Sequence, residues 1–129
     1  MTKIITTVLL FSASLLALDW ATDLDSAIST AQKEHKNIMV MVKSTHCGWC
    51  KKMQEHTLTD KNVEKKLEKF VLVEIMREDG KTMAKLPPVK GVPTIFFMKE
   101  NKAIIEDVVG YFNVEDFTSY INDVEKKVK

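Results

Sequence analysis

From Asp23 onward the apolar residues fall at helical spacing. Leu24, Ala27, Ile28 and Ala31 line one face, and Asp23 stands where a cap belongs. Trp20, just ahead, is expected to pack under that helix. The polar run Lys33-Glu34-His35-Lys36-Asn37 ends it, with His35 read as a solvated turn residue. Ile38 to Val42 is then apolar without a break, the pattern of a strand buried on both faces. After Cys50 the pattern turns helical again, and Met53 is spaced to face a core. Thr57-Leu58-Thr59-Asp60 breaks it, and Asp60 caps a short helix through Val63 and Leu67 whose charged positions form a solvated face. Phe70 to Ile75 predicts a second central strand. Arg77 to Lys85 is polar, contains Gly80 and predicts a loop with room for one helical turn; Pro87-Pro88 then excludes a regular helix. Ile95 to Met98 predicts a third strand, Lys99 to Lys102 a hairpin turn, and Ala103 to Val109 a fourth strand closed by Gly110. Asn113 caps a last helix with Val114, Phe117, Ile121 and Val124 inward. A crossover helix joins the parallel strands, and the hairpin adds antiparallel ones, so the fold class is α/β with a mixed sheet.

The chemistry concentrates at the end of the first strand, in Lys43-Ser44-Thr45-His46-Cys47-Gly48-Trp49-Cys50-Lys51-Lys52. This stretch holds the only two cysteines of the chain. Two thiols at that spacing shuttle electrons, hold a soft metal, or pack inertly in a core. A strand running through a loop into a helix puts Cys47 at a helix N-terminus, where free amides and the dipole favour a thiolate over a thiol. Lys43, His46, Lys51 and Lys52 add positive charge nearby. That setting suits reactivity better than packing.

The N-terminus changes the picture of where this chemistry operates. Met1-Thr2-Lys3 is a short positive start, and Ile4 to Leu18 carries no charge. The run is shorter than the ~18 apolar residues of a spanning helix. It predicts a secretory signal peptide over residues 1–17, with cleavage after Ala17 or, as a rival, after Ser14; a retained anchor or buried helix is the bland alternative. Export leads to an oxidising periplasmic or extracellular compartment, where a lone cysteine pair matters more than in the cytosol. A bridge closing so short a loop restricts the unfolded chain little, so stapling is a poor reason for it. The remaining residues, 18–129, are enough for one domain with a real core. A formal net charge of +1, without a long one-sign run, argues against nucleic acid or an anionic membrane surface as the main partner.

A strand ending in Cys-x-x-Cys at a helix start, followed by Gly91-Val92-Pro93-Thr94 before a hairpin and a terminal helix, resembles the thioredoxin fold. The likeness runs from Trp20 to Lys127. Trp20, Lys36-Asn37-Ile38, Cys50-Lys51-Lys52-Met53 and Thr59-Asp60-Lys61-Asn62-Val63 are similar to one subgroup, the small exported thioredoxin-like proteins and the C-terminal domain of the reductase DsbD. The resemblance implies a central four-stranded sheet flanked by helices. It implies Cys47 as the nucleophile toward a substrate disulfide and Cys50 as the resolving thiol. Pro93 would be cis over the sulfur pair, and Val92 would offer its backbone to an extended substrate segment. Independently, a residue before proline is driven to an extended conformation. Trp49 would form an apolar lip for substrate, while His46, Gly48 and Lys51 would tune the thiolate. No cofactor is implied beyond the redox-active Cys47–Cys50 disulfide. Expected partners are protein disulfide substrates and a membrane or exported thiol donor, with the chain acting as a monomer.

The departures from the family pattern are specific. A buried acid is usual six residues before the first cysteine, and here that position is Met41. A second acid of the DsbD-type domain is here Gln54. Proton removal from Cys50 then falls to water, His46 or another group such as Glu74. Gly48-Trp49 between the cysteines lacks the histidine of the oxidant DsbA, which favours a reducing or isomerising role. Pro87-Pro88 replaces part of the helix that usually precedes the proline loop.

The rival reading is an exported copper-binding or delivery module. Cysteine thiolates are soft ligands, and Met39, Met41 and Met53 lie near them in sequence. Methionines on one face of a buried strand are more often gap-filling core, however. Zinc needs four ligands, which His46 and His56 would complete only by chance. Covalent haem attachment is excluded because Lys51, not histidine, follows Cys50. A redox-inactive binding domain would hardly need both cysteines at this spacing.

Overall fold

A computed structural model describes residues 18–129, and the expected signal segment 1–17 lies outside the described residues. The elements are β1 (Trp20–Ala21), α1 (Leu24–Glu34), β2 (Asn37–Lys43), α2 (Gly48–Lys52), α3 (Lys61–Leu67), β3 (Phe70–Met76), α4 (Gly80–Met83), β4 (Thr94–Met98), β5 (Ile104–Val109) and α5 (Val114–Lys127). A π-helical turn, Met53–Thr57, prolongs α2. The sheet order is β1-β3-β2-β4-β5. β1 and β2 both run parallel to β3, whereas β4 is antiparallel to β2 and to β5.

The sheet therefore has five strands where the sequence predicts four. The extra one, β1, is two residues long and pairs Trp20 with Leu72 and Ala21 with Val73. A pairing so short leaves no periodicity, and its partners are remote in the chain. Trp20 is also corrected: it packs on the cluster formed with α3 and α5, across the sheet from α1. The loop after β3 contains the one helical turn it had room for, Gly80–Met83.

Alternation along the strands builds two cores. Ile38, Val40 and Val42 of β2 join Val71, Val73 and Ile75 of β3 and Phe96 and Met98 of β4 beneath α1. The intervening Met39, Met41, Phe70, Leu72, Ile95 and Phe97 face the other way, toward Met53, Leu67, Phe117 and Ile121. Phe97 stacks edge-on to Phe70 at 5.5 Å and lies 6.3 Å from Phe117, which ties α5 to the sheet. Each such fully buried side chain contributes about 1.5–3 kcal/mol of transfer free energy. The helices start where side chains satisfy their free amides. Asp23 accepts from Ser26 N at 2.7 Å, Asp60 from Asn62 N at 2.9 Å, and Asn113 from Asp116 N at 2.8 Å. No helix among the described residues is long and apolar enough to cross a membrane.

Candidate active site

β2 delivers the chain to one end of the sheet, and the loop Ser44–His46 carries it into α2. Two contacts hold this loop against the segment after β3. Arg77 N donates to Lys43 O at 2.7 Å, and Glu78 Oε1 accepts from Thr45 N at 3.1 Å and Thr45 Oγ1 at 2.8 Å. The Thr45 hydroxyl, with backbone amides behind it, holds the Glu78 carboxyl below its ordinary value. His46 is exposed and sits at φ 59°, a left-handed turn that swings the chain into the helix.

Cys47 is the N-cap of α2, and its Sγ accepts from Cys50 N at 3.1 Å. Cys47 and Cys50 form a disulfide with Cα atoms 5.2 Å apart. The two sulfurs live in different surroundings. Cys47 is half-buried, whereas Cys50 is 2% exposed within the core that holds Met41 and Met53. Reagents approaching from solvent therefore meet Cys47 first.

Trp49 is 59% exposed beside this pair, an unusual position for so large an apolar surface. Its ring lies 5.7 Å from that of Tyr111, and Lys52 Nζ sits 5.2 Å from Trp49 and 4.7 Å from Tyr111. The cation thus bridges two π faces and fixes an aromatic ledge next to the sulfurs. Tyr111, from the turn after β5, carried no sequence signal; only the fold brings it to Trp49.

The Val92–Pro93 peptide bond is cis. Pro93 is buried and its carbonyl accepts from Gly110 N at 2.8 Å, while Thr94 Oγ1 donates to Gly91 O at 2.6 Å. Val92 packs on the same apolar cluster as Cys47. Gly48 is exposed, and a Cβ there would meet nothing within 4 Å, so no close approach requires a glycine. Lys51 is 3.9 Å from Glu55 and shares with His46, Cys47, Cys50, Gln54 and Lys43 an open cavity of about 610 Å³. His56, by contrast, lies outside this cavity.

Met41 is fully buried and stands opposite Glu74 in the β2–β3 register. Glu74 was one of several candidate groups, and its actual partners could not be read from sequence. Lys43 Nζ reaches its Oε2 at 2.6 Å, and Gln54 Nε2 donates to its Oε1 at 2.7 Å.

A family model described as a thioredoxin-like domain matches residues 24–125, most of the chain. The chain belongs to the thioredoxin-like family. Solved structures share the fold. A thioredoxin from Thermus thermophilus aligns with TM-score 0.74 and 23% identity over 87% of this chain and 90% of that one. An oxidoreductase, DsbH, aligns with TM-score 0.71 and 18% identity over 86% of each chain. The reduced C-terminal domain of DsbD from Neisseria meningitidis aligns with TM-score 0.63 and 23% identity over 76% of this chain and 90% of that one. No curated protein sequence matches the chain. In this thioredoxin-like domain the Cys47–Cys50 disulfide stands at a helix N-terminus with one sulfur accessible, an arrangement that supports thiol–disulfide oxidoreductase chemistry.

Proposed function

We propose that the protein is an exported thiol–disulfide oxidoreductase that reduces or isomerises protein disulfides. The observation that carries this reading is the asymmetry of the pair: Cys47 half-buried at a helix start, Cys50 buried behind it. In the reduced protein the helix amides and dipole stabilise a Cys47 thiolate. That thiolate attacks one sulfur of a substrate disulfide, and the substrate's other sulfur leaves. Cys50 then attacks Cys47 Sγ, releases the substrate and restores the internal disulfide. The Trp49–Tyr111 ledge supplies apolar contact for substrate, and Val92 supplies backbone for strand-like pairing. Export rests on the charge-free run Ile4 to Leu18 behind a positive start. A membrane or exported thiol donor completes the cycle by reducing the pair again.

The direction has its own test. Alkylating free thiols in the protein as it leaves the cell should find Cys47 and Cys50 mostly reduced, as a dedicated donor requires. A mostly oxidised pair would instead make the protein an oxidase. The copper reading gains no support from packing: Met39, Met41 and Met53 are fully buried, filling the core.

A further inference from the structure

Resolution of a mixed disulfide requires the Cys50 thiol to lose its proton, and Cys50 is only 2% exposed, at the inner wall of the cavity beside Cys47. An acceptor near it must come from the protein or from water that the protein organises. We propose that Glu74 takes up this proton, through water in the cavity beside Cys50, and that Lys43 and Gln54 hold its carboxylate in place. The proposal rests on the exchange reading above.

Four observations carry it. Glu74 is the one charge in the otherwise apolar strand Phe70–Met76, a costly placement unless it is partnered. Strand alternation, with Leu72 and Phe70 on the same side, turns its side chain to the core that contains Cys50. Both of its oxygens are engaged there, by Lys43 at 2.6 Å and Gln54 at 2.7 Å. Lys43 and Gln54 in turn line the cavity that Cys47 and Cys50 open into. Of the other candidate acceptors, Glu78 accepts from Thr45 and Glu55 is exposed beside Lys51. His46 lines the cavity from an exposed turn and is the rival acceptor, so His46→Ala serves as the control in the test below. Met41, opposite Glu74 on β2, offers no acceptor at all.

The step balances as follows. The Cys50 thiol gives its proton through water to Glu74, and the Cys50 thiolate attacks Cys47 Sγ. The bond between Cys47 and the substrate sulfur breaks as the Cys47–Cys50 bond forms. The substrate leaves as a thiolate and takes a proton from solvent, and Glu74 returns its own to water. Two electrons pass from the protein dithiol to the substrate disulfide.

The test mixes reduced full-length protein with the aromatic disulfide dithiobis(nitrobenzoate) and follows release of its coloured thiolate. The first release reports attack by Cys47, and the second reports resolution by Cys50. In Glu74→Gln the first should be unchanged and the second slowed roughly 10²-fold at neutral pH, the scale of a lost general base. The wild-type second phase should level off with rising pH, whereas the Glu74→Gln phase should keep climbing as hydroxide takes over; Glu74→Asp should recover part of the rate. A merely structural ion pair would leave that pH profile unmoved. His46→Ala, the control, should keep the levelling-off. Gln54→Leu, which removes one of the two groups that hold the Glu74 carboxylate, should slow the second phase in the same way and provides the same test if Glu74→Gln folds poorly. A second phase unchanged in rate and profile would overturn the role of Glu74. Absence of the first release in the wild type would instead overturn the exchange reading itself.

Discussion

In Cys50→Ser, proteins should accumulate in covalent attachment to Cys47, and multiple-turnover disulfide reduction should fall to background. The reason is geometric. Cys47 remains at the accessible start of α2 and still attacks, but the buried group that would displace the substrate is now a hydroxyl. Cys47→Ser should trap nothing, because Cys50, at 2% exposure, is closed to a protein disulfide. Mass spectrometry of non-reduced complexes, with the bridging cysteine assigned in each, reads both outcomes. Equal trapping through Cys50 in Cys47→Ser would reverse the roles of nucleophile and resolver.

Met41→Asp should have the second large effect, on stability and rate together. The side chain is fully buried among Met39, Cys50 and Met53, and its register partner is already an acid, Glu74. A carboxylate there is desolvated and repelled, and should cost about 3–5 kcal/mol, the scale of an uncompensated buried charge. Burial raises the folded-state affinity of such a group for its proton. Its penalty is therefore smallest in acid, below the unfolded carboxylate range near ~4, and grows as the pH rises. Urea melts at acid and neutral pH should show that trend. The same variant should resolve mixed disulfides faster at neutral pH, since a second proton acceptor then stands near Cys50. Unchanged stability with an unchanged rate would place Met41 away from Cys50 and break the register argued here.

What the sequence made legible was local. Five consecutive apolar residues specify β2 as doubly buried, the cysteine spacing at its end locates the chemistry, and helical periodicity specifies α1 and α5 with their caps Asp23 and Asn113. Contacts between segments remote in the chain were not legible. β1 is two residues whose identity as a strand depends on Leu72 and Val73. The π-helical turn at Met53–Thr57 has no sequence signal of its own, although it accompanies a fully buried Thr57 whose hydroxyl donates to Phe112 O at 2.6 Å. Around the sulfurs the same division holds. Trp49 was visible as a ledge for substrate, but Tyr111 and the bridging Lys52 that fix it were not. Glu74 was visible as a carboxylate, but not as one clamped by Lys43 and Gln54, because polar pairs across a fold leave no periodic pattern.

The central claim is that the Cys47–Cys50 pair exchanges electrons with protein disulfides. Insulin reduction driven by dithiothreitol, with metal content determined on the same purified protein, tests it most directly. The account predicts catalysed precipitation of the insulin B chain that is lost in Cys47→Ser, and no stoichiometric metal. Tight copper or zinc binding alongside negligible insulin reduction would contradict it.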